Sequence, residues 1–229
     1  MKDDQFLSVN PVSTAGVWSV DADAPLQSVL DRPDTPPLLR QALTGVLSWQ
    51  TRNRTPVGRT LTSPRLAPQW VAALLALEAT VTVEGDEGPA DVPLEALVER
   101  KAQGAVSTLH VSLAGPGQRW GEARVARTPA DEPIVAAVAV VEMGGDVVRQ
   151  ARVALTGVWS EPARLAEASD RLVGGPLDQP SIRAVAGAVE GEVAPEGDFL
   201  GSEEYRRAMA GVLTRRALEE CLRQEVDNE

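Results

Sequence analysis

Cysteine is nearly missing from this 229-residue chain; the one present is Cys221. A single thiol excludes a disulfide framework within the chain and any zinc or iron–sulfur site built from its own cysteines. It lies on a helical pattern near the C-terminus, so the expectation is a reduced, cytosolic thiol packed as a small hydrophobe. Histidine is as scarce. His110 is the only one, and its stretch STLHVSLAG alternates like a strand, which predicts a strand residue with an ordinary hydrogen bond. Without a second His or Cys, a His-based metal cluster and a Cys–His pair are excluded. A Ser-His-Asp triad would have to use His110, and no G-x-S-x-G elbow accompanies it. Positive charge is also short: 22 Lys and Arg against 33 Asp and Glu give a net charge of −11. The basic residues are scattered, so there is no electrostatic footprint for nucleic acid. No apolar run approaches the ~20 residues of a membrane span. The opening MKDDQFLSVNPVS lacks the apolar stretch of a signal peptide. A soluble, cytoplasmic protein is expected.

Aromatic residues make up 3% of the chain, yet five of them are tryptophan. Trp18, Trp49, Trp70, Trp120 and Trp159 are core anchors or, in part, marks of a partner interface, where Trp is enriched. The acidic pairs Asp21/Asp23, Glu203/Glu204 and Glu219/Glu220 read as solvated turn or helix faces rather than acid–base pairs. Asp86, Glu87 and Asp91 do not have the spacing of an EF-hand loop and read as a polar hairpin turn. No catalytic residue and no metal ligand set is assigned.

The length suits one large or two small domains, and two are preferred. Residues 16–21 read as a strand, with helices near Leu26–Leu30 and from Pro37 to Trp49, Pro36 and Pro37 fitting a first turn. Residues 52–61, RNRTPVGRTL, read as a loop. QWVAALLAL at 69–77 reads as a buried helix, and EATVTVEGDEGPADVPL as strand, turn and strand. A helix near Leu94–Lys101 and a strand at Thr108–Leu113 follow. AGPGQ at 114–118 is the linker candidate. Beyond it, RWGEARVAR reads as a strand, and PIVAAVAVVEMGGDVVRQARVALTGV as a hairpin turning at Gly144-Gly145-Asp146. Helical segments are expected near 161–172, 179–190 and 202–224, the last capped by Ser202 with Glu203 and Glu204 in its first turn.

The C-terminal GSEEYRRAMAGVLTRRAL resembles the final helix of the FAD-binding medium subunits of molybdenum hydroxylases, the family of aerobic carbon monoxide dehydrogenase and xanthine dehydrogenase. VVRQARVALTGVWSEPARLAEASDRLVGG is similar to the family's strand, Gly-Val turn and helix. RNRTPVGRTLTSPRLAPQWVAALLALEATV aligns without a gap on its R-N-x-A-T-I-G-G-N-I motif and the helix after it. The resemblance runs from about Val17 to the end. It implies an α+β chain: a remnant of the second, α/β, FAD-binding subdomain in residues 1–114, then a C-terminal domain in 119–229 of a three-stranded antiparallel sheet packed with three helices. It also implies an oxidoreductase complex with a molybdenum-binding large subunit and an iron–sulfur small subunit, or self-association of this chain.

The family's first phosphate motif, of the A-G-G-T-D-L type, belongs before Val17, where sixteen residues leave too little room, so a shortened homologue is expected. In the second motif the resemblance places the cofactor-contacting positions at Thr55, Val57, Gly58, Arg59, Thr60 and Gln69. A dinucleotide pyrophosphate needs backbone N–H groups at close range, which glycine provides. Here the motif's second glycine is Arg59, its Thr is Pro56 without an N–H, its Asn is Thr60 and its downstream Asp is Gln69. The expectation is a structural or accessory component with weakened or lost FAD binding. Two alternatives stand beside it. One is a working FAD electron-transfer subunit. The other is a small-molecule module in which Arg52, Arg54, Arg59 and Arg65 replace amides with guanidinium forks.

Overall fold

The computed structural model describes residues 16–44, 47–85, 88–113, 115, 117–128 and 131–224. The chain order is β1 (Val17–Asp21), α1 (Leu26–Asp31), α2 (Pro37–Leu43), α3 (Trp49–Arg54), α4 (Val57–Thr62), α5 (Pro68–Ala76), β2 (Thr80–Gly85), β3 (Gly88–Pro93), α6 (Leu94–Val98), β4 (Ala105–Ser112), β5 (Gln118–Val125), β6 (Val135–Gly144), β7 (Val147–Thr156), β8 (Arg164–Leu165), α7 (Gln179–Glu192) and α8 (Glu203–Arg223), with 3₁₀ turns at Pro64–Leu66 and Glu167–Leu172. The α+β reading holds. Among the described residues the strands form two four-stranded antiparallel sheets, β1-β4-β2-β3 and β5-β6-β7-β8. The second sheet has the short β8 beyond the three expected strands. Of the three helices expected beside it, the first is a 3₁₀ turn, because Pro162 and the β8 pairing occupy the start of that segment.

Residues 52–61 differ from their reading as a loop. They end one short helix and contain most of another. Ser48 caps α3, its hydroxyl accepting from Thr51 N–H. Thr55 and Pro56 break the run, and Pro56 ahead of the first helical residue sets the entry to α4. The helix expected from Pro37 to Trp49 stops at Leu43, and Trp49 begins α3 instead. The 3–4 residue periodicity that flags long helices has no length in which to show.

Helix α5 is enclosed in the core. Every residue from Gln69 to Ala76 is buried, which is the pattern of a helix surrounded by apolar partners rather than one with a wet face. It packs on α2 and on β6, β7 and β8, and one apolar cluster joins Trp18, Val20, Val81, Leu109 and Val111 of the first sheet to Trp70, Leu74, Val138 and Ala154. The opposite face of the second sheet, with Val135, Ala137, Ala139 and Val141, meets Ile182, Val185, Val189, Leu213 and Ala217 of α7 and α8. Cys221 belongs to this second cluster and is fully buried, and desolvation pushes its thiol up, away from reactivity. Asp178 and Ser181 form a capping box at α7, and Ser202 caps α8 through Tyr205 N–H. Trp18 and Trp70 are core anchors, Trp120 and Trp159 are half-buried, and Trp49 is exposed. Asp86, Glu87, Ala114 and Pro116, from the acidic turn and the linker candidate, lie outside the described residues.

An open strand edge invites lateral pairing with another chain. On β5, Trp120 turns both backbone groups outward and Gln224, at the end of α8, takes them: Trp120 N–H donates to Gln224 Oε1 at 3.1 Å and Gln224 Nε2 donates to Trp120 O at 2.8 Å. Gly121 lets the helix come this close, because a Cβ there would stand 2.1 Å from Ala217 O.

Next to it, Glu122 is largely desolvated, and no donor reaches its carboxylate oxygens in normal hydrogen-bond geometry, Gln41 being a side-chain partner only outside it. Burial holds its carboxyl above the usual range, and Arg124 and Gln41 only partly offset this. A raised folded-state pKa means the buried charge costs stability above that pKa and costs nothing below the unfolded value. Glu122→Gln is therefore expected to stabilise the protein at neutral pH. In urea unfolding, the gap between variant and parent should close as pH falls toward the ordinary carboxylate range. A gap that widens in acid would contradict this account.

Candidate functional site

The N-terminal end of α4 is fastened to the turn after β1. Val57 N–H donates to Ala24 O at 2.9 Å and Gly58 N–H to Ala22 O at 2.7 Å. Leu26 N–H closes the same junction on Thr55 O, and Pro25 and Pro56 form a bridge. A Cβ on Gly58 would lie 2.8 Å from Ala22 Cβ. The absent side chain thus makes room for protein, and the amides a phosphate would use are already bonded.

The other predicted positions disperse. Val57 is fully buried. Thr60 is buried, with its hydroxyl donating to Val57 O. Arg59 is exposed, and Thr55 ends α3. The arginines do not converge either: Arg52 turns inward to Gln27 and Leu47 O, while Arg65 donates to Ser160 O.

Gln69 stands apart. It is 1% exposed, and neither its Oε1 nor its Nε2 has a hydrogen-bond partner. It borders a cavity of about 400 Å³ shared with Arg65, Thr156, Trp159, Asp198 and Arg206. A buried amide left unpaired is costly, so this cavity borders unspent hydrogen-bonding capacity.

Arg206, in the stretch that resembles the family's final helix, organises the cavity's far wall. Its Nη1 donates to Ile134 O at 2.8 Å and Gly157 O at 2.9 Å, and its Nη2 to Asp198 Oδ2 at 2.8 Å. That ion pair, helped by donation from Leu200 N–H, holds the Asp198 carboxyl below the usual range. Arg164 stacks over the Trp159 ring, 5.1 Å from its centre. No composition signal pointed to these contacts, because they join residues far apart in the chain.

Residues 123–221 match the family of the CO dehydrogenase flavoprotein C-terminal domain. This segment belongs to that family. The matched segment covers β6, β7, β8, α7, most of α8 and the Arg206 hub. The chain is 27% identical over 190 residues to the carbon monoxide dehydrogenase medium chain of Hydrogenophaga pseudoflava, covering 80% of this chain and 66% of that one. It is 32% identical over 114 residues to the corresponding medium chain of Afipia carboxidovorans, covering 50% and 40%. The match thus spans less than two thirds of either relative. In fold, the chain is similar to the solved carbon monoxide dehydrogenase of H. pseudoflava, with a TM-score of 0.82 at 23% identity, covering 94% of this chain and 78% of that chain. The family resemblance of the sequence is borne out, and these relatives are medium chains of carbon monoxide dehydrogenase.

Proposed function

We propose that this chain is a divergent structural or accessory component of a molybdenum-hydroxylase type of oxidoreductase complex, with flavin binding weakened or lost. One observation carries the reading. At the phosphate motif, the N–H groups of Val57 and Gly58 are bonded to Ala24 O and Ala22 O, and Ala22 fills the space beside Gly58. Pro56 adds no donor, and an exposed arginine stands where a second glycine would let phosphates approach. The residues present do not fit a pyrophosphate at this position, and no electron-transfer step is derived through it. The partners proposed are the molybdenum-binding large subunit and the iron–sulfur small subunit of such a complex, since the relatives are medium chains of a dehydrogenase.

A second reading, a working FAD subunit, is favoured by the unpaired amide of Gln69 on its cavity, which could take a ring edge with both a donor and an acceptor. The visible spectrum separates the two. The purified chain, alone or after incubation with FAD and desalting, is expected to show no stoichiometric flavin band. Arg59→Gly should not restore one, because the two neighbouring amides remain bonded. A band near one flavin per chain would promote the second reading.

A further inference from the structure

One residue from each strand of the first sheet meets on its outer face. Ser19 of β1, His110 of β4, Thr82 of β2 and Asp91 of β3 follow the spatial order of the strands, and hydrogen bonds run through all four. Ser19 Oγ lies 2.8 Å from His110 Nδ1, His110 Nε2 lies 2.8 Å from Thr82 Oγ1, and Thr82 Oγ1 donates to Asp91 Oδ1 at 2.6 Å. Each neighbouring residue on β1 points the other way, Trp18 and Val20 into the core, as the period of a strand requires.

The direction of the chain follows from donor counting. A carboxylate only accepts, so the single hydroxyl hydrogen of Thr82 is committed to Asp91. Thr82 Oγ1 must then accept from His110 Nε2–H. A neutral imidazole with its proton on Nε2 carries a lone pair on Nδ1, so Ser19 O–H donates to that nitrogen. The arrangement is a hydroxyl resting on a base whose far side is oriented by a third group. His110 is the chain's only imidazole. The hydroxyls of Ser28, Thr35, Thr60 and Ser169 donate instead to backbone carbonyls, which cannot take a proton.

We infer that Ser19 is a base-activated hydroxyl and a covalent acceptor for acyl groups from activated esters. Its oxygen attacks the ester carbonyl carbon, and the bond from that carbon to the leaving oxygen breaks. The Ser19 proton passes to His110 Nδ1 and then to the leaving alkoxide, so an acyl-serine, a free alcohol and a neutral imidazole result. The His110 side chain is 25% exposed and that of Asp91 68%, so the site is reachable from solvent on an open sheet face. It is a modification site independent of the flavin motif.

The test uses the full chain with 4-nitrophenyl acetate at neutral pH, read by intact mass and peptide mapping. The expected result is one acetyl group on Ser19, absent in Ser19→Ala. His110→Gln should slow it on the order of 100-fold, the scale of general base assistance. Thr82→Val should slow it less, because the imidazole remains while its orienting contact is lost. Circular dichroism checks that each outer-face variant keeps its fold. If His110→Gln does not, Thr82→Val carries the comparison. Acetylation confined to amines or to His110, or a Ser19 rate unchanged in a folded His110→Gln or Thr82→Val variant, overturns the assignment.

Discussion

Arg206→Ala is expected to cost roughly 3 kcal/mol of stability, because two carbonyls lose a charged donor and about 1–3 kcal/mol attaches to each buried group left unpaired. Arg206 is 6% exposed and joins Ile134 O, Gly157 O and Asp198, which brings the entry to β6, the end of β7 and the turn before α8 to one point. Asp198 itself is 43% exposed, and water can replace its partner. The main loss therefore falls on the two carbonyls. A Cβ on Gly157 would stand 2.1 Å from Ile134 O, so backbone is packed tightly beside the guanidinium and cannot close over the space it leaves. Arg206→Lys keeps the charge but not the fork, and should lie between parent and alanine. Urea denaturation at neutral pH measures all three. An Arg206→Ala midpoint equal to the parent's would show that the hub contributes nothing.

The second large effect belongs to Trp70. It is fully buried in α5, the helix that packs on the second sheet and shares an apolar cluster with residues of the first. Truncating a buried tryptophan to alanine costs about 3–5 kcal/mol through lost transfer energy and the cavity left behind. Because the same apolar cluster contains residues of both sheets, the loss should be felt by both in one transition. Far-ultraviolet circular dichroism and the fluorescence of the remaining tryptophans are then expected to give coincident midpoints, both lowered. Separate midpoints would show two independently melting halves. Trp70→Phe should be far milder, since it keeps most of the ring and removes an indole N–H that is buried without an acceptor.

How much of this was legible in the sequence depended on the length over which a pattern could repeat. β6, β7, α5, α7 and α8 carry long alternating, wholly apolar or 3.6-residue patterns and were read closely to their bounds. The Gly145-Asp146 turn was signalled by its own chemistry. Helices α3 and α4 were not, because each is six residues long and rich in Thr and Arg. Such segments are helical through tertiary contacts, here the hydrogen bonds of Leu26, Val57 and Gly58 across the junction. Within the candidate site, the alignment running on from residues 52–61 into the next helix singled out Gly58 and Gln69 as positions to inspect. What each does there was invisible: whether a glycine faces a ligand or an alanine, and whether an amide is paired, are set by residues distant in sequence. The four-strand relay from Ser19 to Asp91 is the extreme case, since its members come together only through the register of three strand pairs.

The contact between Gln224 and Trp120 has a consequence for how the molecule ages. The last turn of α8 works as a stopper on the flank of the second sheet. Losing that glutamine's side chain would leave the sheet uncorked, with a free ribbon onto which further copies could dock side by side. Slow fibre growth, rather than unfolding, would then be the characteristic way for this protein to fail.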